Sequence, residues 1–123
     1  MIITKNDVLP KDVKETVNFL KTVYGMRIKI TDLPEILCKV SGLEITDLTS
    51  WSSQFVSYLI DLQHKFMVGE ELDLAVFHQD VNNVFHLTKT EKQILVKNNI
   101  EEKLWAIIWA VSFPSQIKFN LND

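Results

Sequence analysis

The sequence predicts a single, mostly α-helical domain with at most a small sheet. Two observations carry that prediction. Apolar residues recur at helical spacing through most of the chain, and alternation of the strand type is confined to short stretches near residues 26–30 and 117–121. The balance of 46% hydrophobic and 24% charged residues is that of a globular protein. A chain of 123 residues is one domain in size and long enough to bury a core without covalent staples.

The elements follow in order. "PKDVKETVNFLKTVYG" predicts a helix that opens at Pro10 and stops at Gly25. Asp12 and Glu15 complement its dipole, and Val13, Val17, Leu20 and Tyr24 form its inward stripe. "MRIKI" alternates as a short strand. "DLPEILCKVSGL" predicts a short helix capped by Asp32 and stopped by Gly42. Thr49, Ser50 and Ser52 are candidate N-caps for the next helix. In it Phe55, Leu59, Leu62 and Phe66 share one face, with Val56 and Tyr58 at its edges, until Gly69 ends the run.

"EELDLAVFHQDVNNVFHL" reads as one or two short helices with a break near Gln79–Asp80. Val81, Val84, Phe85 and Leu87 point inward there. "TKTEKQILVKNN" opens with a capping box that pairs Thr90 with Gln93. "IEEKLWAIIWAVSF" is helical and apolar nearly all round until Pro114, so it must be buried in this chain or against a partner. The tail "QIKFNL" alternates and is suited to pair with "MRIKI" or "MIIT" in a small ribbon.

Charge and cysteine content narrow the function classes. A net charge of −3 argues against nucleic acid, whose phosphates favour clustered Lys and Arg. The single cysteine, Cys38, rules out an intrachain disulfide and fits a reducing compartment. The apolar patch of "MIITKNDVLPKD" is too short for a signal peptide, and "LWAIIWAVSF" is too short to span a membrane. A cytoplasmic location is the expectation.

The constellations of reactive chemistry are missing. His64, His78 and His86 share no metal-ligand spacing, and Cys38 has no CxxC partner. No glycine-rich phosphate loop and no set of nucleophile, base and oxyanion donor can be found. The expectation is a protein that is not an enzyme and holds no metal.

"LPEILCKVSGLEITDLTSW" has the outline of a helix-turn-helix over residues 33–52. Gly42 and Leu43 would make the turn, with Leu48 and Trp51 as inward anchors. Its presumed recognition helix carries Glu44 and Asp47 but no Lys or Arg, a poor match to phosphates and base edges. A transcriptional regulator is therefore an alternative reading. A small binding protein, such as an inhibitor or immunity factor, is another.

The stretch "DLTSWSSQFVSYLIDLQHKF" resembles the acyl and peptidyl carrier proteins, including the D-alanyl carrier type. Asp47-Leu48-Thr49-Ser50-Trp51-Ser52-Ser53 stands in the register of that family's Asp-Leu-Gly-x-Asp-Ser-Leu turn. The following residues match the hydrophobic pattern of its second helix. "DVNNVFHL" falls where the family has its last helix. The resemblance covers residues 47–87, with Val56, Leu59, Leu62, Phe66, Ala75, Val81 and Val84 at core positions.

The resemblance implies a carrier-like helical core over residues 47–87, followed by a C-terminal helical extension and tail over 88–123. It implies that Ser52 carries 4′-phosphopantetheine and presents a thioester-bound group to modifying and acyl-loading enzymes. A helix N-terminus suits the phosphodiester that such a modification adds. The same fold without modification would act as a protein-interaction module. Trp51, Trp105 and Trp109 are the candidate partner-binding residues, since tryptophan is enriched at interface hot spots. Trp105 and Trp109, spaced i, i+4, fit a core role equally.

Overall fold

The computed structural model describes residues 1–25, 32–43 and 49–112; the side chains of Leu33, Pro34 and residues 49–55 are outside that description. Six helices and one two-stranded ribbon make up the described fold: β1 (Ile2–Ile3), α1 (Lys11–Tyr24), α2 (Leu33–Ser41), α3 (Thr49–Met67), β2 (Leu72–Asp73), α4 (Leu74–Val84), α5 (Lys89–Lys97) and α6 (Ile100–Ser112). The mostly helical class and the short ribbon are as the sequence predicts. None of these helices is long and apolar enough to cross a membrane.

Helix α1 follows Pro10, carries Asp12 in its first turn and ends where the Gly25 N–H donates to the Lys21 carbonyl at 2.9 Å. Val13, Val17 and Leu20 are buried and Tyr24 packs at the edge of the core, which is the expected stripe. Helix α2 ends at Gly42, whose φ of 78° is a left-handed conformation that costs a residue with a Cβ about 1 kcal/mol or more. In α3, Leu59 and Phe66 are fully buried, with Tyr58 and Leu62 packed against the core.

Helix α4 departs from expectation. It runs unbroken through Gln79 and Asp80 from an N-cap at Asp73, whose carboxylate accepts from the Ala75 N–H at 3.0 Å. Its buried stripe is Leu74, Phe77 and Val81, so Ala75 lies exposed rather than in the core. Asp80 does not break the helix because its side chain is used across the bundle: the Tyr58 hydroxyl donates to it at 2.7 Å. Helix α5 also starts earlier than expected. Its capping box pairs Thr88 with Glu91, not Thr90 with Gln93.

The ribbon pairs Ile2 with Asp73 and Ile3 with Leu72, antiparallel, and the Leu74 N–H donates to the Met1 carbonyl at 2.8 Å. Thus "MIIT" finds its partner ahead of α4. The expected strands at 26–30 and in the tail lie outside the described residues.

Helix α6 is the centre of the molecule. It packs against all five other helices, whereas α3 and α4 touch each other over a smaller area. Every residue from Leu104 to Ser112 is buried, so the all-round apolar run is covered by this chain itself. Three polar ties fix the neighbours around it. The Lys103 ammonium donates to the Thr16 hydroxyl of α1 at 3.2 Å, the Gln63 amide of α3 to the Val111 carbonyl at 3.1 Å, and the Asn98 amide to the Ser41 carbonyl of α2 at 2.6 Å. The helix expected as an extension therefore supplies the axis on which α3 and α4 are packed.

Candidate functional site

A concavity lies between α1, α2 and the start of α6. The inward stripe of α1 is flanked by a second row, Asp12, Glu15 and Phe19, which the core does not use. With Lys39 and Val40 of α2 and Asn99, Glu102 and Lys103 at the start of α6, this row lines a groove of about 360 Å³. Phe19 is 44% exposed at its rim, and Val23, one turn further along α1, is 46% exposed.

The groove carries unbalanced charge. Asp12, Glu15 and Glu102 form no ion pair among the described residues. Lys39 is already held by Glu35 at 3.1 Å and sits 5.1 Å from the centre of the Tyr24 ring. The Glu35 hydrogen bond, then Tyr24, keeps its ammonium above the usual lysine range. Lys103 is drawn to the wall by Thr16. That threonine is buried, and its hydroxyl donates to the Asp12 carbonyl at 3.1 Å while it accepts from Lys103. The groove can recognise a cationic, partly apolar surface; it holds no general base aligned on a nucleophile.

A second concavity of about 340 Å³ lies around His78, Ile100 and Glu101. The buried His78 Nε2 has no hydrogen-bond partner among the described residues. Burial holds its imidazole below the usual histidine range, opposed by Glu101. On α5, Lys89, Lys92, Gln93, Val96 and Lys97 line a shallow depression of about 420 Å³. Val96, in its middle, is 64% exposed.

The residues singled out from sequence are dispersed. Ser52 and Trp51 fall in the first turn of α3, with their side chains outside the description. Trp105 and Trp109 are each 5% exposed on α6 and belong to the core, which removes them as an exposed binding patch. Cys38 is half-buried, and burial, then Glu35, pushes its thiol up, so it stays protonated. Among the described residues no group of three or more His, Cys, Asp or Glu could hold a metal ion. Leu48 and the first half of the expected recognition helix lie outside the description. From Thr49 the second helix carries no Lys or Arg before Lys65.

The groove itself was not singled out from sequence. The signal for it was the pair Phe19 and Val23, apolar at i, i+4 yet off the inward stripe of α1. In comparisons with protein-family models, curated proteins and solved structures, nothing matches this chain.

Proposed function

We propose that the chain is a non-catalytic interaction module that binds a protein surface through the groove between α1, α2 and α6. The observation that supports this reading is the half-exposed Phe19 in a groove lined by three carboxylates that form no ion pair among the described residues. The test is a photo-crosslinking residue at position 19 in the cells that make the protein, with the same residue at exposed Asp61 as control. Discrete adducts from position 19 alone are the expected result. Absence of adducts, or the same adducts from both positions, would refute the reading.

A second reading is kept for Ser52. Its support is positional: α3 starts at Thr49, so Ser52 lies in the first turn of a long helix, as the carrier resemblance requires. Intact mass after incubation with coenzyme A and a permissive phosphopantetheinyl transferase tests it. A gain of one phosphopantetheine that Ser52→Ala abolishes would make the chain a carrier. An unchanged mass assigns Ser52 to helix initiation, where serine is common.

A further inference from the structure

We propose that the occupant of the groove is the lysine face of α5 from a second copy of this chain. The proposal rests on the groove being an interaction site and names the partner. Helix α5 offers chemistry complementary to the groove. Among the described residues Lys89, Lys92 and Lys97 of α5 have no carboxylate partner, and the one carboxylate of that helix, Glu91, is engaged in the capping box with Thr88. Val96 stands exposed among them, an apolar centre in a cationic rim. In the groove Asp12, Glu15 and Glu102 outnumber Lys39 and Lys103 beside the half-exposed Phe19, and the groove adjoins Val96 through Asn99 and Glu102, which line the neighbouring concavity with it.

The two faces cannot meet within one molecule. No residue of α5 lines the groove, and α5 is fixed to the end of α2 by the Asn98–Ser41 bond and to the core by its own buried Leu95. They can meet between two molecules. A twofold arrangement would place each groove on the other copy's α5, so every complementary contact is made twice and the assembly closes. Charges this exposed contribute modestly and are screened, so the dimer is weak and salt-sensitive.

Sedimentation velocity over a wide concentration range, at low and high salt, tests the proposal with the full chain. The expected result is a monomer–dimer equilibrium that shifts to monomer as salt rises. Glu15→Lys with Glu102→Lys, or Lys89→Glu with Lys92→Glu, weakens the dimer by about tenfold or more. Phe19→Asp does the same with unchanged helix content. Mixing the two charge-reversed proteins restores dimer, because each groove then faces an α5 of opposite sign. A monomer at all concentrations, or a dimer indifferent to these changes and to mixing, overturns the proposal. A monomer whose position 19 still crosslinks to a different protein overturns only the identity of the partner; a monomer without crosslinks removes the interaction reading as well.

Discussion

Replacing Ile107 by alanine tests the central place of α6. Ile107 is fully buried in the middle of that helix. The truncation removes three carbons, about 2.4 kcal/mol of transfer free energy. If the site collapses only partly, a residual void of up to about 80 Å³ adds up to about 2 kcal/mol. The expected loss is about 3.5 kcal/mol, within the usual span for such changes. For a 123-residue chain the unfolding entropy is about 0.26 kcal/mol/K, so Tm falls by about 13 °C. Urea unfolding should be followed, in a Trp51→Phe background, both by tryptophan fluorescence, which then samples only Trp105 and Trp109 on α6, and by far-UV circular dichroism, which samples every helix. The two transitions should coincide and move together, while Val96→Ala on the surface changes stability by less than about 0.5 kcal/mol. A loss below about 1 kcal/mol, or helix content that outlasts the tryptophan signal, would refute a bundle built on α6. The latter result would mean that residues 47–87 stand as a unit of their own.

Three further changes probe smaller parts of the fold. Thr88→Ala removes the hydroxyl that accepts from the Glu91 N–H in the α5 capping box and should cost about 1 kcal/mol in urea unfolding. Gly42→Ala puts a Cβ into a left-handed residue and 3.2 Å from the Asn98 amide nitrogen; a loss of about 1–2 kcal/mol is expected, and an unchanged midpoint would contradict the geometry. His78 is held neutral by burial, so its folded pKa lies below its unfolded value. The unfolded chain then takes up the proton first, and stability should fall as pH drops through about 6.5 toward the folded pKa. Below the folded pKa the loss levels off. Tm measured from pH 7.5 to 5 should show a drop that His78→Gln reduces.

Much of the architecture was legible from side-chain spacing. The stripe Val13–Val17–Leu20 and the pair Leu59 and Phe66 are buried as their periodicity requires. Gly25 and Gly42 end helices as expected, both at positive φ. What failed was local choice between equivalent signals. Thr88 with Glu91 and Thr90 with Gln93 both satisfy the capping-box pattern; the fold uses the pair that starts the helix directly after buried Leu87. Asp80 looked like a helix breaker because its partner, Tyr58, is distant in sequence and its hydrogen bond is a product of tertiary packing. Burial and then the Asp80 carboxylate hold the Tyr58 phenol well above the usual tyrosine range, so that bond stays protonated at neutral pH. A ribbon of two residues per strand is too short to show alternation, so Leu72–Asp73 gave no strand signal. The apolar run of α6 announced that it would be covered without saying by what; five helices of the same chain cover it. The groove was hidden for a related reason. Asp12 and Glu102 belong to helix first turns and Glu15 follows directly after one, so they read as dipole partners, and only the fold brings α1 and α6 side by side.

The position of the axis in the chain governs how the protein is made. Helix α1 is complete at Tyr24, but its main neighbour is not finished until Ser112. At ribosomal speeds of about 5–20 residues per second, the first helix waits about 4–18 s for the last. During that interval the apolar stripes of five helices have been synthesised with no common surface to cover them. The fold around α6 is therefore completed only after residue 112 has been added. A product that stops between Lys97 and Ile100 has all five outer helices and lacks the helix they share.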